Sequence, residues 1–321
     1  MDLTERAEVV CFGMVLPATI LVVDEFPARN TGTTWNQKTE FISDDAAIVA
    51  ILLKKWGVQS GLICTALGDD PAGRSTVRQL SESGVLGDFR TSADIETSFE
   101  LNVSDRSGGR TYFWRRDPRV LATLDTADLS MISGARMLYA DWYDGDHTLR
   151  ALREARRLDV PVFFNIEHGH EDSDLLARFA PDITICQAVT DAAQLGNDAM
   201  GVAQRLLDAG VSLALVTMAE HGCLAVTRQA TLYVQAPKVE VVDGCGAGAT
   251  FSAGYQFGLV KGWDMEACLR FAVAAASLGC TRLGPVAFPV AKVQTLAASL
   301  DVQRDPVPDM WRGSVTDTIE M

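Results

Sequence analysis

The turn Gly246-Ala247-Gly248 follows an apolar, strand-like run from Val239 to Val242 and leads into a helix of small residues. Backbone N–H groups at a helix N-terminus attract anions, and residues without side chains let a phosphate come close. The spacing points to an anion site, with a plain strand-to-helix turn as the structural alternative. Arg115 and Arg116 follow the aromatic run Tyr112-Phe113-Trp114. They read equally well as solvated residues of an edge strand or as guanidinium forks reaching an anionic substrate. Asp141, Trp142, Tyr143, Asp144 and Asp146 follow the strand-like Leu138-Tyr139-Ala140. The C-terminal end of such a strand is where α/β sheets bind ligands, although a polar loop also fits. Glu167-His168-Gly169-His170-Glu171-Asp172 has a His-x-His spacing with flanking acids, which suits a divalent metal. No distant Cys or His pair completes a zinc site, so a solvated loop is the simpler reading.

These groups need a scaffold, and the pattern supplies one. Apolar runs at 9–15, 61–66, 137–141, 161–166, 182–186, 213–217 and 223–227 read as strands. Helical periodicity falls at 45–56, 73–84, 147–157, 173–179, 188–195, 199–209, 247–261 and 264–279. Such alternation argues for a mostly parallel sheet covered by helices on both faces. Residues 28–42 and 97–116 break the alternation and read as exposed strands. The second suggests a hairpin turning at Ser107-Gly108-Gly109. Together they predict a small β-lid over one end of the main domain, which spans 1–300. The polar, proline-bearing segment 301–321 reads as a peripheral tail.

The chain has 321 residues, 48% of them hydrophobic, which suits one large α/β domain or two small ones. A net charge of −14 argues against nonspecific binding to nucleic acid. Seven scattered cysteines without a CxxC pair read as reduced thiols of a cytoplasmic protein. Residues 9–23 follow mostly acidic residues and lack a cleavage site, so they read as a buried first strand rather than a leader. The apolar stretch Phe271 to Cys280 is too short to span a membrane.

The ordered set of motifs resembles the ribokinase/PfkB carbohydrate kinase family over roughly residues 8–295. Asp243 to Ala249 is similar to that family's D-T-x-G-A-G-D signature. Gly13 with Val23 to Pro27 resembles the first strand and the turn into the lid. Ala46-Ala47 through Trp56-Gly57 resembles the helix opening the substrate side. Gly68-Asp69-Asp70-Pro71-Ala72-Gly73 resembles the G-x-D-x-x-G run, and Ala272 to Gly284 the border of the adenine pocket.

The resemblance implies a three-layer α/β/α sandwich with a lid, and ATP- and Mg2+-dependent phosphorylation of a sugar-like hydroxyl. It implies an anion hole at Gly246, Ala247 and Gly248. Nucleotide contacts follow at Thr217, Ala219, Gly222, Asp243, Ala274 and Gly279. Substrate contacts follow at Ala18, Asp44, Asp45, Arg115, Arg116 and Asp141. Metal-linked polar groups follow at Asn165 and Glu167, and pairing of two copies through the lid is a family habit. Trp35 and Trp114 would then cover a ligand or pack lid on lid.

Five positions depart from the family pattern. The general base is Ala249, the substrate Asp is Ala18, and the first glycine of T-x-G-x-x-G is Ala219. The Gly-Gly hinge is Ile42-Ser43-Asp44-Asp45, and N-x-x-E is Gln187-Ala188-Val189-Thr190. Three expectations follow: a divergent kinase, a noncatalytic nucleotide or sugar binder, or different chemistry centred on His168 and His170.

Overall fold

In the computed structural model, residues 6–105, 110–190 and 199–305 are described. The chain begins β1 (Val9–Gly13), β2 (Leu16–Val23), β3 (Trp35–Ser43), α1 (Asp45–Lys55), β4 (Ser60–Cys64), β5 (Leu67–Gly68), α2 (Pro71–Ser83) and β6 (Thr91–Ser92). It continues β7 (Phe99–Ser104), β8 (Arg110–Arg115), α3 (Pro118–Ala122), β9 (Met137–Asp141), α4 (Leu149–Arg157), β10 (Val162–Glu167), α5 (Ser173–Phe179) and β11 (Ile185–Val189). The last elements are α6 (Ala199–Asp208), β12 (Leu213–Thr217), β13 (Cys223–Val226), β14 (Thr231–Val234), α7 (Ala247–Val260), α8 (Met265–Gly279), α9 (Val290–Ala298) and β15 (Val302–Arg304).

Among the described residues the main sheet has nine strands in the order β15-β14-β13-β12-β11-β10-β9-β1-β4. The pairs from β4 to β12 are parallel, and β13 to β15 add an antiparallel edge. β1 and β9 are buried along their whole length, as parallel strands covered on both faces must be. One core joins α1, α7, α8 and α9 to the sheet, and a second joins α4, α5 and α6 to the other face. The expected three-layer sandwich is therefore present. The strand order reverses between β1 and β9, which places the sheet's crevice at their C-terminal ends.

The lid is a four-stranded sheet ordered β3-β2-β7-β8. Residues 9–23, expected to form one strand, divide instead. β1 stays in the main sheet, and β2 crosses into the lid to pair with β3 and β7. The hairpin pairing of β7 with β8 is present, while its proposed turn at 107–109 lies outside the described residues.

Two further expectations need correction. Val239–Val242 is not a strand: the N–H groups of Val242 and Asp243 bond to the Cys280 carbonyl, and no strand edge adjoins them. Residues 188 and 189 close β11 rather than open a helix, and 191–195 lie outside the described residues. β14, α9 and β15 had no strong periodicity to announce them. The last, after about residue 301, sits at the sheet's edge.

Local chemistry explains the helix boundaries. Asp70 caps α2 by accepting from Gly73 N at 2.8 Å, with Pro71 at the first helical position. Its other oxygen accepts from Thr97 N at 2.9 Å, so the G-x-D-x-x-G run ties α2 to the lid's base. Gly246, with φ of 72°, makes the left-handed turn that starts α7. All seven cysteines are unpaired. No helix among the described residues is long and apolar enough to cross a membrane.

Candidate active site between lid and sheet

Three neighbouring strand ends present polar side chains in register. Asp141 of β9 pairs with Asn165 of β10, which pairs with Gln187 of β11. All three are buried. A bulge between Asn165 and Glu167 re-aims Glu167, whose backbone lies at φ 44°. Asn165 Nδ2 donates to Asp45 Oδ2 at 3.0 Å and to Glu167 Oε1 at 3.2 Å. Tyr143 OH donates to Glu167 Oε2 at 2.8 Å.

α7 aims its N-terminus at this group. A Cβ placed on Gly248 would stand 3.6 Å from Glu167 Oε1 and 3.7 Å from Gln187 Nε2. Gln187 Nε2 donates to the Gly248 carbonyl at 3.3 Å, and its Oε1 accepts from Ser252 Oγ at 2.7 Å. Gln187 thus fastens β11 to α7. Gly248 and Ala249 lie in the first turn, where N–H groups have no helical carbonyl to meet. The guanidinium of Arg110 lies 3.4 Å from a Cβ placed on Gly244, adding positive charge beside the loop. Ala249 is buried and brings no carboxylate.

Asp243 holds the loop: one oxygen accepts from Cys245 N at 3.1 Å and the other from Gly284 N at 2.9 Å. Thr217 closes β12 with its hydroxyl donating to the Ala188 carbonyl at 3.2 Å. Ala219 lies at φ 48° and Gly222 at φ 87°, shaping the turn between β12 and β13. Ala274 is fully buried in the core, and Gly279 packs near Thr250.

Beside this group, a cluster of acidic side chains around Arg116, here termed the chamber, forms where β1, α1, β9 and the lid meet. Arg116 faces Asp44 at 3.2 Å and Glu100 at 3.8 Å. Burial alone would weaken its charge, and Asp44 and Glu100 more than restore it. Asp144 accepts from Met14 N at 2.8 Å, and Gly13 must lack a side chain because a Cβ would sit 2.7 Å from Asp144 Oδ2. Burial, then the nearby Asp44, pushes the Asp144 carboxyl up to about 7. Burial, then Asp144, pushes Asp141 well up. Burial and the facing Glu167 do the same to Asp45.

Register sorts the lid's residues by face. Glu100 pairs with Trp114 and Asn102 with Tyr112, so these four share the chamber side. Ala18 pairs with Glu100 across β2 and β7, so a carboxylate stands one strand away from the position lacking one. Arg115 points the other way and is paired with Glu96 in solvent, a correction to its expected substrate role. Arg116 turns inward but already faces two carboxylates, so it does not stand free for an anion. Asp44 has φ 75° and ψ 149°, a region that only glycine adopts without strain. Sequence reasoning missed Glu100 and Arg110, because their placement depends on lid register.

His170 is buried, with Nδ1 3.4 Å from the Arg205 guanidinium. Burial lowers its basicity. Among the described residues, no group of three or more His, Cys, Asp or Glu side chains converges as metal ligands.

Residues 6–291 match the family described as pfkB family carbohydrate kinase. The aminoimidazole riboside kinase of Salmonella typhimurium is 27% identical over 251 residues, covering 72% of this chain and 78% of its own. A ribokinase from Thermotoga maritima superposes with a TM-score of 0.73 at 18% identity, over 91% of this chain and 100% of its own. The Arabidopsis thaliana ribokinase complexed with ribose and ATP gives 0.72 at 18% identity, over 91% and 99%.

Proposed function

The chain belongs to the pfkB family of carbohydrate kinases, and on that premise we propose that the chamber binds a sugar-like acceptor while the Gly244–Gly248 loop takes the phosphates of ATP. The observation that carries this is the pairing of a left-handed Gly246 with the open first turn of α7 and the Arg110 guanidinium beside it. Thr217, Ala219, Gly222 and Gly279 border the nucleoside in this reading.

The residues present fit a divalent cation. Asp45 and Glu167 share one donor, Asn165 Nδ2, and the buried Asn165 Oδ1 has no hydrogen-bond partner. Two carboxylates around one amide repel unless one is protonated or a cation lies between them. Asp45, Glu167 and Asn165 would hold Mg2+, which when bound neutralises phosphate charge.

Acceptor activation is the weak point. A positioned base contributes about 10²–10⁴-fold to such reactions. Kinases turn over at roughly 1–100 per second, so a chain with Ala249 retains about 10⁻⁴ to 1 per second. Arg110 and the loop N–H groups still hold the phosphates, and the chamber acids still orient the acceptor.

Thermal-shift titration with ATP, with and without Mg2+, tests nucleotide binding. A ligand at a hundredfold excess over its dissociation constant adds about 2.7 kcal/mol to stability. A Mg2+-dependent rise in melting temperature is expected, and no shift refutes the reading. Ala249→Asp then separates a slow kinase from a noncatalytic binder. Faster ADP formation with a sugar panel marks the kinase. Unchanged ADP formation with intact ATP binding marks the binder.

A further inference from the structure

We propose that the chamber selects a sugar-like ligand carrying a protonated amine, with Asp44, Asp141 and Asp144 as its counter-charges; this deepens the kinase reading and rests on its placement of the acceptor.

Three buried carboxylates, Asp44, Asp141 and Asp144, and the partly buried Glu100 surround a single guanidinium, that of Arg116. Arg116 offers one positive charge to the four, and burial leaves Asp141 and Asp144 holding protons for want of another cation. An anionic sugar would make their ionisation costlier still, and an ammonium would let them ionise against it. The unmet hydrogen-bond demand has the same polarity. Asp144 Oδ1 and Asn102 Oδ1 are acceptors in residues only 1% exposed, and neither has a partner. The other oxygen of Asp144 is held by Met14 N, and Asn102 Nδ2 donates to Glu100 Oε1 at 3.1 Å, which orients the free acceptors. A ligand that completes this chamber must bring donors. Hydroxyls supply some, and an ammonium supplies three with a charge. The aromatic groups agree. Tyr112, whose ring already carries the Arg110 guanidinium 5.9 Å from its centroid, and Trp114 lie on the chamber face of the lid, and the Trp114 face would attract a cation and repel an anion.

Isothermal titration of the whole protein tests this with stated probes: 2-amino-2-deoxyglucose, 2-amino-2-deoxygalactose and 1-amino-1-deoxyfructose. Each is compared with its hydroxyl parent, and the first two also with their N-acetyl derivatives; glucuronate serves as the anionic control. At least one amine is expected to bind about tenfold or more tighter than its uncharged counterparts. The proposal falls if no amine binds, if the parents bind as well, or if glucuronate binds best. Asp144→Asn keeps an oxygen for Met14 N and removes one charge. It should weaken the amine about tenfold and the hydroxyl parent less; equal losses overturn the assignment. Nucleotide binding is read separately. A Mg-ATP shift without amine selectivity defeats this inference alone, and amine selectivity without a Mg-ATP shift defeats the kinase reading alone.

Discussion

Replacing Asp144 by Asn should stabilise the ligand-free protein at neutral pH. Asp144 is buried, and its carboxyl is pushed from 3.8 to about 7 by burial and then by Asp44. An acid with a raised pKa keeps its proton in the folded state at pH values where the unfolded chain has released it. Its contribution is full below about pH 4, declines as pH rises, and is gone above about 7. A shift of three units corresponds to at most about 4 kcal/mol. Asn carries no such penalty, and its oxygen can still accept from Met14 N. The variant and parent should therefore match near pH 4.5 and separate progressively to pH 8. For a chain of this length the full difference is a melting shift of about 6 °C. Calorimetric scans of both proteins from pH 4.5 to 8 provide the assay. A difference that does not change with pH, or a variant less stable at pH 8, would refute the reasoning.

Arg116→Gln leaves Asp44 and Glu100 without their shared cation. Urea unfolding should show a loss of about 3 kcal/mol, growing with pH; an unchanged midpoint counts against the chamber's charge balance. Gly13→Ala puts a methyl 2.7 Å from Asp144 Oδ2 and 2.9 Å from Ala46 Cβ. It should cost about 1–3 kcal/mol in the same assay and weaken acceptor binding; a neutral result means that β1 can shift away. Ala219→Gly relieves a residue at φ 48°. A rise in stability of up to about 1 kcal/mol is expected, and a fall would mean that the Ala219 methyl packs usefully.

The layered fold was legible because each parallel strand is a short apolar run and each helix has its own period. The glycine turn into α7 was legible because three small residues follow one another at a helix start. Asp141 and Arg116 stood out in the sequence by a strand end and an aromatic run, and Asp44 and Asp45 through the resemblance; the fold brings them together. The opposite fates of Arg115 and Arg116 were not readable, since adjacent residues differ only through strand alternation and where β8 ends. Glu100 escaped for a similar reason. Its meaning comes from lying opposite Ala18, and pairing between β2 and β7 is set by contacts roughly eighty residues apart in the chain. The loop-holding bonds of Asp243 to Cys245 N and Gly284 N were not readable either, because they join residues brought together only by the fold.

The departures from the family pattern do not look like erosion. Erosion removes groups that are costly to keep. Here Asp44 stands where relatives use a flexible glycine hinge, in a backbone region costing on the order of 1–3 kcal/mol for a residue with a side chain. Glu167 also occupies a positive-φ conformation, at φ 44°, and reaches the glycine loop from there. Buried like charges add a further cost that a neutral side chain would avoid at once. Drift towards stability would replace Asp44 by Gly and Asp144 by Asn in single steps. This chain keeps both, with Ala at positions 18 and 249.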